Sequence, residues 1–293
     1  MEQKFKGAFT ALVTPFTPDG EVDYKGLESN VQHQIDNGIN GLLPLGTTGE
    51  TPTLTAEEQQ KVVEAVLGLA KGKVTVLVGT GSNNTAKTVE MSKKAQEWGA
   101  DAVLVVTPYY NKPTNRGIYE HFKAVSDAIS IPIVVYNIAG RTGKNIDTPT
   151  MKKIAALENV QSIKEASGDI NQMGDVINEL PDISVMSGDD GMTLPLMALG
   201  GLGVISVVSN LVPDRIVELT DAALAGNFDE AKKIHFELLP LFKVAFIETN
   251  PIPIKAAMTM KGLAGGSYRL PMCEMEPENK EKLRQTLEEM KLL

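Results

Sequence analysis

Lys164 closes a short apolar run, VQSIK (160–164), and Tyr136 sits near the end of another, IPIVVYN (131–137). Burial disfavours an ammonium and lowers its pKa, leaving a neutral amine that can attack a carbonyl. A phenol beside it can move protons on and off the resulting carbinolamine. Strands that neighbour in a parallel sheet lie about 4.8 Å apart, so their C-terminal side chains share one pocket. The pair is the minimal equipment for Schiff-base chemistry. Each residue alone has a plainer reading: a strand-end lysine usually snorkels to water, and a buried tyrosine usually belongs to the core. Their joint placement changes the balance. Interior side chains of neighbouring barrel strands fill alternate layers, so the two groups are expected to be staggered rather than level.

Other candidates lie where apolar runs end. GTTGE (46–50) offers glycines that admit an anion to backbone N–H groups, with the Thr47 and Thr48 hydroxyls as donors, or else a plain turn. GTGSNN (79–84) reads as a turn and helix start capped by Asn84 or Ser82. Arg141 in YNIAGRTG (136–143) is a solvated loop arginine or a bidentate clamp on a carboxylate. Tyr109 and Tyr110 in TPYYNKP (107–113) fit an interface. KEASGD (164–169), SGDD (187–190) and ISVVSN (205–210) complete the set.

The elements that must carry these ends are legible. Eight apolar runs recur: 9–16, 42–46, 74–79, 102–108, 131–137, 160–164, 183–187 and 203–209. Several are rich in valine and isoleucine without alternation, as in strands buried on both faces. Between them, 56–72, 85–100, 114–129 and 148–159 carry helical spacing, the last with Thr148 as the expected N-cap and Pro149 in the first turn. Alternation through eight strands predicts a (β/α)8 TIM barrel, with function at the C-terminal strand ends. The alternative, a doubly wound sheet, calls for a phosphate-binding glycine fingerprint after the first strand, where this chain has TPFTPDG. Past about residue 226 the strand pattern stops, and 228–248, 253–262 and 277–293 read as helices. The expected division is a catalytic barrel over 1–226 and a C-terminal helical domain over 227–293.

Composition narrows the class. A chain of 293 residues with 42% hydrophobic and 22% charged residues is ordinary for a globular protein. Its net charge of −9 carries no basic footprint for nucleic acid or an anionic membrane. A lone cysteine, Cys273, permits no intrachain disulfide, fits a reducing compartment and reads as a passive thiol. The N-terminal apolar stretch is short and broken by Pro15, and no run approaches the roughly 20 apolar residues of a membrane span, so a cytoplasmic protein is expected. His33, His121 and His235 lack ligand spacing and read as surface or packing residues; no metal site is expected.

ALVTPF (11–16), GTTGE, TPYYNKP, YNIAGRTG, IKEASG (163–168), SGDD, GVISVVSN (203–210), NPIPIKAA (250–257) and RLPM (269–272) follow one another through nearly the whole chain. In this series the chain resembles the dihydrodipicolinate synthases, within the pyruvate-dependent class I aldolases that include N-acetylneuraminate lyase. The resemblance implies a Schiff base between Lys164 and pyruvate. It implies a proton relay of Tyr136, Thr47 and a Tyr110 contributed by a neighbouring subunit. It places Thr48 at the pyruvate carboxylate, the backbone of Gly188 and Ile205 along the pocket, and Arg141 at the carboxylate of L-aspartate 4-semialdehyde. The implied product is 4-hydroxy-tetrahydrodipicolinate, on the route to lysine and diaminopimelate, with no metal or organic cofactor and a homotetramer as the assembly. Arg141 with Thr47–Thr48 favours this over a 2-keto-3-deoxy sugar acid or sialic-acid aldolase; a keto-acid-binding barrel without turnover is the alternative of another class. Two departures stand out. Ala139 replaces the family's usual proline, which is expected to loosen the Arg141 loop. Ala56, Gln59 and Lys87 stand where lysine-inhibited relatives carry histidines and a glutamate, although Tyr109 and Asn83 remain, so weak or absent inhibition by lysine is expected.

Overall fold

A computed structural model describes residues 5–293. The first four residues of the proposed barrel domain therefore lie outside the described part. The strands are β1 (Gly7–Ala11), β2 (Gly41–Leu43), β3 (Thr75–Gly79), β4 (Ala102–Val106), β5 (Ile133–Asn137), β6 (Val160–Glu165), β7 (Ser184–Ser187) and β8 (Gly203–Ser206). They form a closed barrel in sequence order, and every named strand pair is parallel. The Val/Ile/Leu runs are buried almost throughout, as strands covered on both faces must be.

The helices are α1 (Tyr24–Asp36), α2 (Ala56–Ala70), α3 (Thr85–Trp98), α4 (Asn115–Ser126), α5 (Ala139–Thr142), α6 (Thr148–Ala155), α7 (Ile170–Glu179), α8 (Thr193–Ala198), α9 (Pro213–Leu224), α10 (Phe228–Val244), α11 (Ile252–Met260) and α12 (Pro277–Glu289). Caps explain several starts. Thr55 and Glu58 form a reciprocal capping box on α2. Asn84 caps α3 by accepting from the Lys87 N–H. The N-cap of α6 is Asp147, one residue before the expected Thr148, because its carboxylate accepts from the Thr150 N–H while Pro149 sits where no donor is needed. The first and last strands are shorter than the apolar runs suggested. β1 ends at Ala11, and beyond β8 the chain turns tightly through Val208–Asn210, so the apolar residues past these ends pack as buried loop.

The chain divides into two compact units, one of Phe5–Gly7 with Leu77–Ile205, the other of Ala8–Val76 with Ser206–Leu293. The first carries the registers from β3–β4 through β7–β8. The second carries β1–β2 and β2–β3 and all of the C-terminal helices. His121 is buried and bonded to the Thr85 hydroxyl at 2.9 Å, and His235 packs on Phe236 and Phe242; both are packing residues.

Candidate active site

Within the first unit the register Tyr136↔Lys164 sets the two candidates directly opposite each other, not staggered. The cause is a bulge. Ile133 pairs with Val160, but Val134 pairs with Ser162, so β6 carries one extra residue at Gln161. Without it, Ile163 would face Tyr136 and Lys164 would point to the other side, because side chains alternate along a strand. The row continues as Val106↔Tyr136↔Lys164↔Met186↔Gly203. Gly188 and Ile205 each lie two residues beyond this row and share its face.

That face is the barrel interior. The alternate residues Asn137 and Glu165 bond to each other and, through Asn145, to Gln172 of α7, so theirs is the helix-facing side. Lys164 is 5% exposed. Its Nζ lies 4.2 Å from the centroid of the Tyr136 ring, and among the described residues it has no ion-pair partner. Burial lowers its pKa to about 7, with the Asp190 carboxylate pulling upward and the Arg141 guanidinium pushing further down. Burial likewise raises Tyr136 to about 12, Arg141 lowering it and Asp189 raising it. At neutral pH the site thus holds an amine poised between its two states and a phenol that keeps its proton. A Cβ on Gly188 would stand 3.0 Å from Lys164 Cε and 2.8 Å from Ala166 Cβ, so only glycine leaves the lysine its place.

Arg141 lies in the single helical turn α5 and is exposed. The turn is closed by the Gly143 N–H donating to the Ala139 carbonyl at 2.8 Å, and the Thr142 hydroxyl donates to the carbonyls of Ile138 and Lys144. Ala139 is the first residue of this turn, where proline's missing N–H would cost nothing, so the turn forms with alanine as it would with proline. The Thr107 hydroxyl and N–H both donate to the Tyr136 carbonyl. Tyr110, on the same loop, is 88% exposed and holds a left-handed φ of 72°, a conformation costly for a residue with a Cβ.

Thr47 and Thr48 belong to the other unit. They form a 3-10 turn after β2, Thr47 exposed and Thr48 buried, with the Thr48 hydroxyl accepting from Asn250 Nδ2 at 3.0 Å. The turn ends at Glu50, also left-handed at φ 52°, whose N–H donates to the Thr47 carbonyl at 3.1 Å. The Glu50 carboxylate meets Lys255 Nζ at 2.5 Å, and that nitrogen donates further to the carbonyls of Thr14 (3.2 Å) and Ser267 (2.6 Å). The structure therefore gathers Lys164, Tyr136, Gly188 and Ile205 on one face, with the charge of Arg141 acting on the first two. Sequence reasoning missed Asp190 as a source of field at the lysine and Asp189 as one at the tyrosine, although SGDD marked the place. It also missed Lys255, which sits in an apolar run much like that of Lys164. Among the described residues no cluster of histidine, cysteine or acidic side chains is arranged to hold a metal.

The chain matches the model of the dihydrodipicolinate synthetase family over residues 4–290. It is 51% identical over 289 residues to a 4-hydroxy-tetrahydrodipicolinate synthase of Protochlamydia amoebophila, covering 97% of this chain and 96% of that one. Its structure superposes on the dihydrodipicolinate synthase of Aquifex aeolicus with a TM-score of 0.96 and 49% identity, over 98% of this chain and 99% of that one. The same TM-score, at 38% identity and over 98% and 99% of the two chains, relates it to a chloride-inhibited dihydrodipicolinate synthase of Acinetobacter baumannii complexed with pyruvate.

Proposed function

The chain belongs to the dihydrodipicolinate synthetase family, and we propose that it condenses pyruvate with L-aspartate 4-semialdehyde, giving 4-hydroxy-tetrahydrodipicolinate for lysine and diaminopimelate synthesis through an imine on Lys164. The observation that carries the mechanism is the buried Lys164 amine, without an ion-pair partner among the described residues and with a pKa of about 7, over the Tyr136 ring. The neutral amine attacks C2 of pyruvate, and the carbinolamine loses water to give a protonated imine. The imine draws electrons from the methyl group, which loses a proton and becomes an enamine. The enamine carbon attacks the aldehyde, whose oxygen takes a proton and becomes the hydroxyl. The amino group of the semialdehyde then displaces the lysine from the imine carbon, closing the ring and returning Lys164 as a free amine.

In this reading Tyr136 moves the protons of the carbinolamine steps with Thr47 and a partner's tyrosine equivalent to Tyr110, Thr48 takes the pyruvate carboxylate, Arg141 takes that of the semialdehyde, and the backbone at Gly188 and Ile205 lines the pocket. The exposure and left-handed backbone of Tyr110 support an assembly in which that side chain is covered by a second subunit. The exposed apolar pair Ile170 and Leu199, the latter reaching to within 3.7 Å of a Cβ built on Gly174, supports a further contact and hence a homotetramer. The division into a barrel over 1–226 and a helical domain over 227–293 is kept, supported by the last strand ending at Ser206 and α10 opening at Phe228. The single cysteine supports a cytoplasmic setting; among the described residues no helix is long and apolar enough to cross a membrane. Lys87 is exposed in the first turn of α3, where a cation repels a cationic effector, so lysine is expected not to inhibit at sub-millimolar concentration.

Borohydride reduction with pyruvate, followed by mass spectrometry, tests the mechanism: reduced pyruvate should appear on Lys164. An unmodified Lys164 would leave a keto-acid-binding barrel. Labelling at Lys164 with turnover of sugar acids, and none of the semialdehyde, would reassign the chain to the sugar-acid aldolases.

A further inference from the structure

Asn250 stands just before α11 and reaches back to a turn 202 residues earlier in the chain. Its Nδ2 donates to the Thr48 hydroxyl at 3.0 Å, and both residues are buried, Thr48 at 2% exposure and Asn250 at 5%. A hydroxyl has one hydrogen to donate and two lone pairs with which to accept. The amide hydrogen takes one lone pair and turns the hydroxyl's own hydrogen away from itself. Among the described residues that hydrogen has no acceptor. A buried donor left unsatisfied costs free energy, and a carboxylate oxygen is the acceptor that relieves it best.

The turn that carries Thr48 is held from several sides within its own unit. The Glu50 N–H closes it on the Thr47 carbonyl, and the Thr51 hydroxyl donates to the Gly46 carbonyl at 2.9 Å. Lys255, in the first turn of α11, grips one oxygen of the Glu50 carboxylate, and the other accepts from the Arg269 N–H at 3.4 Å. A Cβ on Gly49 would stand 3.2 Å from Thr14 Oγ1 and 3.3 Å from the Leu12 carbonyl oxygen, so the turn lies close against the chain leaving β1. The stretch 250–255 therefore fixes the turn at two points. The Lys255–Glu50 pair sets where its backbone lies, and the Asn250 amide sets how the Thr48 hydroxyl is polarised. We infer that Asn250 is a positioning residue that makes Thr48 a hydrogen-bond donor and so sets affinity for the carboxylate of the keto-acid substrate. This rests on Thr48 as the group that takes that carboxylate. Asn250 touches no reacting atom in this account. With an acceptor in place of its amide N–H, the Thr48 hydrogen would be taken up by the protein, leaving only lone pairs for an anion.

The test uses Asn250→Asp, Asn250→Ala, Thr48→Val and the last two combined. Lys255 still holds Glu50 in each, so the turn should keep its place, with circular dichroism as the check on folding. Two readouts are compared: half-saturation of borohydride trapping at Lys164 by pyruvate, and the rate of the same trapping by acetone, a ketone without a carboxylate. Asn250→Asp nearly preserves size, but its ionised side chain only accepts. It should raise the pyruvate value about tenfold, as loss of one hydrogen bond to a charged group does. Asn250→Ala unties the hydroxyl without reversing it and should raise the value about threefold. Added to Thr48→Val, the same substitution should change nothing further, because the group it acts through is gone. Acetone trapping should stay at the wild-type rate throughout. Pyruvate and acetone trapping slowed alike, an unchanged pyruvate value in Asn250→Asp, or an Asn250→Ala effect that persists in full beside Thr48→Val would each overturn the inference. Thr48→Val without effect on pyruvate would instead remove Thr48 from the carboxylate, and wild-type protein that pyruvate does not trap would remove the imine. Those failures belong to the reading beneath and are read from different samples.

Discussion

Among the described residues two lysines are buried, and they have opposite fates. Lys255, fully buried, has the Glu50 carboxylate at 2.5 Å and two carbonyl acceptors, with the Phe16 and Tyr268 rings about it. Burial lowers its pKa with Glu50 opposing the shift, and each proton of the ammonium has an acceptor. Lys164 has an aromatic ring and a more distant carboxylate field, and its pKa falls to about 7. The first is a structural cation that ties the strand-end turn 46–50 to the C-terminal helices. The second is the nucleophile of the proposed mechanism. Burial alone does not make a lysine reactive; burial without an acceptor does.

The largest effect expected from breaking this contrast is at the nucleophile. Lys164→Ala should lower turnover by about a thousandfold or more while borohydride labelling by pyruvate disappears. The fold should persist, since relief of the desolvated amine offsets part of the cavity left by its methylenes; activity with circular dichroism decides. Next comes the structural cation. Lys255→Met strands a buried carboxylate and should cost about 3–5 kcal/mol of stability by denaturant titration. The double variant Glu50→Gln/Lys255→Met should recover much of that, because no unpaired charge remains; no recovery would show that packing rather than charge makes Lys255 necessary.

Smaller effects sharpen the contrast. Gly188→Ala crowds Lys164 against Ala166 and should slow imine formation about tenfold with little loss of stability. The pH dependence follows from the amine. Only its neutral form attacks, so single-turnover trapping by pyruvate should rise as pH climbs through about 7 and then level. Stability has the matching sign. The unfolded chain keeps this proton up to the ordinary lysine value of 10.5, whereas the fold releases it near 7. The penalty is therefore full below the lower value and fades as pH rises toward the upper one. Lys164→Met should flatten stability across that window, and a curve unchanged by the substitution would place the low pKa elsewhere.

Much of the barrel is legible in the chain because its signals are local. Runs such as AVLVVTP and IPIVVYN announce strands buried on both faces, and caps such as Asn84 mark helix starts within a few residues. The site was legible as a set of strand ends. Its register was not, because nothing local in VQSIK marks Gln161 as an extra residue; the bulge follows from how β6 fits β5. The bonds that close the Arg141 turn were likewise not legible, since they come from the Ile138 and Ala139 carbonyls rather than from residue 139's side chain.

By itself the sequence determined which residue types stand at the ends of which strands, since hydrophobic period and turn chemistry act over a few neighbours. Tertiary structure decided which buried lysine stays charged. That choice depends on groups within a few ångströms of each nitrogen, and for Lys255 they come from Thr14, Glu50 and Ser267, two of them more than two hundred residues away along the chain.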